Sequence, residues 1–410
     1  MRRYVQLLRQ REFALLWGGA TLSALGDGMS FVALVWLVLE RGGTASDVGW
    51  LAAVHTAPVV IGGLAAGVIL DRFDPRRVLA VDNALRGIAV ASVPIASALG
   101  VLTTAQLFVV ASVYGLLFMT SLAGIPTLIT QLAAPRDLTT ANAMESLSYT
   151  LSGVIGPAVA GLVIVAIGAP AVLAIDALTY FAFVACLLAM RRDSPTESAG
   201  RAAAALTDAP RGLRPAIRFI LGAPAIVAIT LFYMSVNIAD GIAIVVIPIY
   251  VTEVLRAGSE TYGLLLSVLT AGDLAGLLIV GAVSWRWPLG RSIAWALLSS
   301  GLLLLLWALR PGALALAAIL FVWGSLSSSL TPWAQTIRMR LIPAEMRGRV
   351  FALLRTSMQS TRPIGAVVAG FLLARGDLSV AILAMALLFG LPGLVGTWLP
   401  ALGRGPTAEP

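Results

Sequence analysis

Two aspartates in the middle of long apolar runs are the strongest candidates for chemistry in this chain. Asp27 lies in LGDGMS and Asp240 in IADGIA, 213 residues apart, and each is next to a glycine. An ionised carboxylate at the centre of a hydrocarbon layer costs roughly 2.5 to 3.5 kcal/mol, so each must face a watery cavity or carry a proton. Such a group can bind a cation or exchange a proton. A packed, hydrogen-bonded aspartate is the alternative at both positions.

Five further charged residues within apolar runs are weaker candidates. Asp82 and Arg86 are one helical turn apart, so the simplest expectation is that they pair with each other. Glu145 lies near one end of its run, whereas Asp273 and Arg362 lie in the middle of theirs. An arginine in that position needs a carboxylate or cavity water beside it, and the sequence does not identify which.

The chain contains one histidine, His55, and one cysteine, Cys186. These residues cannot assemble a zinc site of the usual ligand number or a disulfide framework, so no metal or other cofactor is predicted. His55 is interpreted as a packing residue. Asp176, toward one end of its apolar run, is interpreted as structural.

Composition places these carboxylates in a membrane protein. Hydrophobic residues make up 59% of the 410 residues, charged residues only 12%, and the mean hydropathy is +0.93. Soluble domains have roughly 45 to 50% apolar and 25% charged residues, so an all-α polytopic membrane protein is predicted. The formal net charge is +8, and all 28 basic residues are arginines. Because they lie mostly in short segments between apolar runs, anionic lipid is the expected partner and nucleic acid is not.

Apolar runs of about 20 residues with few charges predict membrane-spanning helices. Twelve such runs are present, six on each side of the only long polar stretch. Their approximate bounds are 13–39, 48–70, 78–99, 105–130, 141–167, 170–190, 224–252, 261–284, 291–309, 313–337, 349–374 and 379–399.

The polar stretch has the Ser, Ala, Pro and Asp content of a linker. Its last part places Arg211, Arg214 and Arg218 on one face of a short helix on the membrane surface, and a solvated loop end is the alternative. The predicted segments are an N-terminal six-helix bundle, a cytoplasmic linker, a C-terminal six-helix bundle and a tail, at 1–190, 191–223, 224–400 and 401–410.

The arginines also predict the orientation of the chain in the membrane. Most of them flank the spans on the side that holds both chain ends, and four lie on the opposite side: Arg41, Arg256, Arg310 and Arg375. By the positive-inside rule, both termini are expected in the cytoplasm, with the protein in the plasma (inner) membrane.

The two halves carry the same landmarks at a nearly constant offset. Asp27 and Asp240 are 213 residues apart, and Gly67 in GVILDRFDPRR is 214 residues before Gly281 in GAVSWRWPLGR. The constant offset predicts a duplicated six-span unit of parallel orientation, an arrangement known from transporter repeats.

The segment GVILDRFDPRRVL, between the second and third predicted spans, resembles the signature of the major facilitator superfamily, G-x-x-x-D-R-x-G-R-R/K-x-x-L. It departs from that signature at Asp74, where glycine is usual, and at Pro75. The matching residues are Gly67, Asp71, Arg72, Arg76 and Leu79, and Arg77 follows Arg76 in the same loop.

Longer stretches are similar to the enterobactin-exporter and macrolide-efflux branch of that superfamily. They are REFALLWGGATLSALGDG, LDRFDPRRVLAVDNALR and IPAEMRGRVFALL. The fifth span carries Gly153, Gly156, Pro157 and Gly161, similar to the glycine-proline signature of drug antiporters, with Ala160 where a second glycine is usual. This similarity favours export. The fourth span lacks the arginine that many proton-coupled exporters carry there.

The resemblance implies twelve transmembrane helices in two pseudo-symmetric six-helix bundles. In that fold the first and seventh helices surround a central cavity, which implicates Asp27 and Asp240 in substrate or proton binding. The fifth and eighth helices meet between the halves, where Glu145 or Asp273 would be a moving salt-bridge partner.

The resemblance also implies a cytoplasmic gate. Asp71 would cap the N-terminus of the eleventh helix, near Gly348 and Arg349, and so latch the two halves together. Alternatively, the loop supplies only arginines that set topology. Trp285 stands where the second half would have its equivalent of Asp71, so a gate built on this residue would be asymmetric.

These patterns predict a monomeric secondary transporter that exports a small amphipathic or cationic molecule, such as a drug, secondary metabolite or siderophore. The expected mechanism is alternating access with proton antiport. The sequence has no Walker-type phosphate loop, so an ion gradient must supply the energy, and no enzyme activity is predicted. The alternatives are a proton-coupled importer of a small nutrient, a membrane-embedded lipid-modifying enzyme, and a sensor that binds its ligand without moving it.

Overall fold

The computed structural model describes residues 2–191, 214–283, 287–343 and 346–403. Most of the predicted linker, including Arg211, lies outside the described residues, and so do Trp285 and most of the predicted tail. Where it is described, the chain is helical because a backbone that crosses hydrocarbon must satisfy its own hydrogen bonds.

The described part of the first half contains eight α-helices and a short 3₁₀ turn, Pro135–Asp137. The helices are α1 (Arg2–Arg9), α2 (Arg11–Glu40), α3 (Ala45–Thr56), α4 (Pro58–Arg72), α5 (Pro75–Ala98), α6 (Thr104–Leu132), α7 (Leu138–Ile167) and α8 (Ala169–Ala189).

The described part of the second half begins with a short helix that includes Arg214 and Arg218, and its position on the membrane surface stays a prediction. Its helices are α9 (Arg214–Gly222), α10 (Pro224–Ile249), α11 (Ser259–Ala282), α12 (Leu289–Leu305), α13 (Ala313–Leu341), α14 (Arg347–Gln359), α15 (Arg362–Ala374), α16 (Leu378–Trp398) and α17 (Pro400–Gly403). Helix α10 continues into a π-helical turn, Tyr250–Val254, and α12 into a 3₁₀ turn, Leu306–Leu309.

Among the described residues, ten helical segments are long and apolar enough to cross a membrane, and the bent pair Ala45–Gly63 and Ala65–Arg72, which covers α3 and α4, forms an eleventh. Helices α14 and α15 together cover the predicted span 349–374 and complete the twelve. A proline lies in the first turn of α4 and of α15, at Pro58 and at Pro363, where the ring removes a backbone donor. The protein is therefore an all-α membrane protein with the predicted twelve spans.

The chain forms two compact units, which are here called unit 1 and unit 2. Unit 1 has the bounds Met1–Gly43, Val54–Asp208 and Gly258–Ser267, and unit 2 has Thr44–Ala53, Ala209–Ala257 and Val268–Pro410. In unit 1, α2 packs on α7 and α8, and α5 packs on α6 and α8. In unit 2, the corresponding α10 packs on α15 and α16, and α12 packs on α13 and α16. The sequence repeat is thus matched by a repeated set of helix pairs.

Candidate functional site

A cavity lies within unit 1 and contains the first predicted carboxylate. Asp27 and Glu145 are the acidic residues on its lining. Most of the remaining wall is apolar or aromatic, with Trp17, Phe118 and Tyr149 among its rings. This combination suits a ligand that carries a positive charge on an apolar body.

Asp27 is held at the cavity by two side chains from other helices. The hydroxyl of Tyr180, on α8, donates a hydrogen bond to Asp27 Oδ1. Arg86 Nη1, on α5, lies 3.5 Å from Asp27 Oδ2. The Asp27 side chain is 17% exposed and that of Arg86 only 1%, so the carboxylate is the edge of the group that reaches the cavity.

Arg86 forms its shorter ion pair with Asp82, one turn earlier on α5. Arg86 Nη2 lies 2.6 Å from Asp82 Oδ2, and Arg86 Nε donates to the same oxygen at 3.1 Å. Ser121 accepts from Arg86 Nη2 and donates to Asp82 Oδ2 at 3.0 Å. The pairing expected from the sequence is therefore present, and Arg86 also reaches Asp27, which the sequence did not predict.

Asp176, on α8, is the third carboxyl group of this region and is fully buried. Ser30, on α2, donates to Asp176 Oδ2. Thr179 Oγ1 lies 3.2 Å from Asp176 Oδ1 and 2.8 Å from the main-chain oxygen of Asp176. A Cβ added to Gly26 would collide with the Asp176 carboxylate, so this glycine lets α8 approach α2.

A row of aromatic side chains extends to the cavity wall. His55 lies between Phe31 and Tyr114, with ring centroids 4.8 and 4.9 Å away. Tyr114 is followed by Phe118 at 6.1 Å and Phe118 by Tyr149 at 6.3 Å. The packing role predicted for His55 agrees with these contacts.

Unit 2 places the second predicted aspartate in a different environment. Asp240 is half-buried on α10 and interacts electrostatically with Arg362 and Asp273. The main-chain oxygen of Arg362 lies against Gly241, so the start of α15 approaches α10 next to Asp240. The charge that the sequence left without a partner is thereby brought near Asp240.

The glycine-proline residues of α7 form close helix contacts. A Cβ at Gly156 would lie 2.8 Å from the carbonyl carbon of Gly28, so α2 and α7 cross with their backbones in contact there. Gly161 accepts a hydrogen bond from Ser259 at 3.1 Å, and the main-chain oxygen of Pro157 lies against Gly263. Gly153 is half-buried.

Asp74 and Arg76, where α4 meets α5, form hydrogen bonds that stabilise the ends of α5 and α8. Asp74 caps α5 by accepting from the Arg76 amide at 3.0 Å. Arg76 Nε donates to the Leu187 carbonyl at 2.5 Å and Nη2 to the Leu188 carbonyl at 3.1 Å, which satisfies the last turn of α8.

Gly67 and the remaining charged residues of the signature segment make few contacts. Asp71, Arg72 and Arg77 are exposed, and a Cβ at Gly67 would meet no atom within 4 Å. The proposed latch through Asp71 stays a prediction.

Asp27, Asp82, Asp176 and Arg86, with the hydroxyl groups that bond to them, are here called the charge cluster. Sequence reasoning missed three side chains of the charge cluster. Tyr180 and Ser30 were not considered, and Asp176 was judged only structural. One signal was available: Asp176 and Tyr180 are four residues apart on α8 and therefore share a helix face. Ser30 follows Asp27 by three residues and shares its face in the same way.

Unit 2 also contains a buried arginine, which was used only to predict the orientation of the chain in the membrane. Arg338, in the last turn of α13, is 4% exposed. Its guanidinium carbon lies 5.0 Å from the centre of the Tyr233 ring, and Nη2 donates to Met358 Sδ at 3.2 Å. This cation is stabilised by an aromatic face and a soft acceptor.

Twelve spans, a repeated helix arrangement and a charged cavity define a membrane transporter. The sequence model of the transmembrane secretion effectors matches residues 5–402. The chain belongs to this family of the major facilitator superfamily, and it is a transporter rather than an enzyme.

Its relatives and structural neighbours agree with this assignment. The multidrug efflux pump Tap of Mycobacterium tuberculosis (strain ATCC 25618 / H37Rv) is 28% identical over 394 residues, which cover 93% of this chain and 91% of that protein. Tap of Mycolicibacterium fortuitum is 26% identical over 401 residues, 95% of each chain. Among solved structures, the nucleoside transporter NupG has a TM-score of 0.73 at 12% identity, covering 94% of this chain and 98% of that one. The D-xylose-proton symporter has a TM-score of 0.70 at 14% identity, covering 96% and 99%. The two structures support the fold.

Proposed function

We propose that this protein exports amphipathic cations from the cytoplasm by alternating access, in exchange for protons. The observation that carries the proposal is the position of Asp27, whose carboxylate reaches a largely apolar cavity while the rest of its charge cluster is buried. The efflux function named for the Tap relatives supports the direction of transport.

The chemistry of the cavity supports a cationic substrate. Arg86 and Asp82 are bonded closely enough to neutralise each other, which leaves the carboxylate of Asp27 to attract a positive group. Phe118 and Tyr149 supply apolar and aromatic surface beside it, and Glu145 adds a second acid to the lining. A cationic ring system would gain both charge neutralisation and burial there.

The same proposal includes the membrane and the orientation. The substrate is taken up on the side where the arginine-rich loops and both termini lie, which the positive-inside rule assigns to the cytoplasm of the cell. The plasma (inner) membrane then maintains the proton gradient, and the substrate crosses this membrane from the cytoplasmic side.

Transport by purified protein in liposomes tests the proposal, with ethidium as the cationic probe and fluorescein as an anionic comparison. An imposed pH gradient is expected to drive ethidium against the direction of proton flow. Asp27→Asn should abolish this transport, whereas Asp377→Asn, at an exposed position before α16, should retain it. Movement of ethidium together with protons would identify an importer instead, and an unchanged rate in Asp27→Asn would exclude Asp27 as the binding residue.

A further inference from the structure

Asp176 differs from the other two carboxyl groups of its cluster because no basic side chain among the described residues forms an ion pair with it. Its side chain is fully buried, and its partners are the hydroxyl groups of Ser30 and Thr179. An ionised carboxylate in such surroundings loses hydration that two neutral hydroxyls do not replace.

A count of hydrogens gives the same answer. A threonine hydroxyl has one hydrogen, and Thr179 Oγ1 has two acceptors within reach, both on Asp176. The main-chain oxygen, at 2.8 Å, is the nearer one and takes this hydrogen, as in the i to i−3 bonds common in helices. The contact of 3.2 Å to Asp176 Oδ1 is longer, so Thr179 gives this oxygen at most a shared, three-centre hydrogen bond. Ser30 donates to Asp176 Oδ2, so one full and one shared hydrogen bond from neutral hydroxyls are the contacts that would have to stabilise a buried negative charge here, and the protonated form avoids that cost.

Asp27 and Asp82 show the opposite pattern. Asp27 accepts from Tyr180 and faces Arg86, and Asp82 accepts from Arg86 and Ser121. Both carboxyl groups therefore have the Arg86 guanidinium as a partner, which is the environment of an ionised carboxylate.

The charges of the cluster then have a simple balance. Arg86 is neutralised by Asp82, Asp176 is uncharged, and Asp27 carries the remaining negative charge at the cavity edge. Burial is the largest obstacle to ionisation of Asp176 and the negative charge of Asp27 is the next, so a cation that neutralises Asp27 removes the electrostatic part of that obstacle.

We propose that Asp176 is the proton-binding residue of this transporter: it holds a proton while Asp27 is free and releases the proton to solvent when a cationic substrate neutralises Asp27. This inference rests on the proposed function and adds the residue that couples it to protons. The titratable and charged groups that face Asp176 or its cluster from the packed helices are Asp27 on α2, Asp82 and Arg86 on α5, Tyr114 on α6, Glu145 and Tyr149 on α7, and Tyr180 on α8.

Infrared spectroscopy of the purified protein in lipid nanodiscs at neutral pH tests the protonation without any substrate. The difference spectrum, wild type minus Asp176→Asn, is expected to contain one protonated-carboxyl C=O stretch, which the variant has lost. Asn is nearly isosteric with the protonated acid, so this variant is expected to fold. Asp377→Asn should show no such loss, and Thr179→Val should shift the band because it removes a hydroxyl group that contacts the carboxyl group. A full band in Asp176→Asn, or its loss in Asp82→Asn instead, would overturn the proposal.

Proton release tests the coupling, with ethidium as the probe and a pH indicator in weakly buffered solution. The wild-type protein is expected to release one proton for each ethidium bound, whereas Asp176→Asn should release none and bind ethidium with an affinity that no longer depends on pH. Ethidium exchange without a gradient should persist in this variant, while gradient-driven transport should be lost. Proton release that persists in Asp176→Asn would overturn the role of Asp176 and leave the export proposal standing. Absence of ethidium binding to the wild-type protein would overturn the cationic substrate, and the infrared result would still decide where the proton lies.

Discussion

Arg86 Nη1 lies 3.5 Å from Asp27 Oδ2 and thereby joins α5 to α2. The same guanidinium holds Asp82 at 2.6 Å, so one cation is shared by two carboxylates of different exposure. The inner pair fixes the position of the guanidinium, and the outer carboxylate remains accessible. This division allows Asp27 to change partners without breaking the buried pair.

Removing the arginine tests that division. Arg86→Gln leaves Asp82 buried without its cation and should lower the free energy of unfolding by roughly 3–5 kcal/mol. Adding Asp82→Asn removes the uncompensated charge, so the double variant should recover much of the loss. Thermal unfolding in detergent measures both, with Arg77→Gln as an exposed control on the same helix. Equal stability of Arg86→Gln and Arg77→Gln would contradict the role assigned to the buried pair.

The crossing of α2 and α7 predicts a steric effect. In Gly156→Ala, the new Cβ would lie 2.8–2.9 Å from the Gly28 backbone, so the helices must separate, at a cost of about 1–3 kcal/mol. Gly18→Ala, also on α2, meets no atom within 4 Å and should be neutral or stabilising, by up to about 1 kcal/mol. Unfolding temperatures distinguish the two, and similar values would show that the crossing is loose.

Arg76 and Arg77 are neighbours with different expected effects. Arg76→Ala should expose the carbonyl groups of Leu187 and Leu188 and raise local fraying of α8, at a cost of about 1–2 kcal/mol. Arg77→Ala removes only an exposed contact of 3.9 Å with Asp74 and should change little. Hydrogen exchange at the C-terminal turn of α8 is the measurement. Equal exchange in the two variants would contradict this cap.

Asp71→Asn tests the gate implied by the loop signature. Because Asp71 is exposed at the C-terminal end of α4, the substitution should leave the amount of protein in the membrane and its unfolding temperature unchanged. If the carboxylate latches the protein during its cycle, the rate of ethidium transport should fall. Asp377→Asn serves as the matched exposed control. A transport rate equal to that of the control would assign the loop to topology alone.

The spans and the repeat could be predicted from the sequence because hydrophobic length and landmark spacing are properties of local segments. The Asp82–Arg86 pair could be predicted for the same reason, since one helical turn separates its members. The contact of Tyr180 with Asp27 could not, because 153 residues separate the two and only helix packing brings them together. The importance of Asp176 was missed because its position along its run says nothing about the hydroxyl groups of α2 that it meets.

In the unit 1 cavity, the acidic residue Asp27 and the apolar wall residues occupy separate positions, and this has a consequence for evolution. Substitutions at wall residues such as Phe118, Leu122 and Ile125 change the shape of the cavity without altering the contacts of Arg86 with Asp27 and Asp82. A methylene gained or lost in such a wall changes ligand preference by about 1–3 kcal/mol. Under the proposed function, single mutations in the wall would let the transporter accept new compounds while the contacts of Arg86 with Asp27 and Asp82 stay the same.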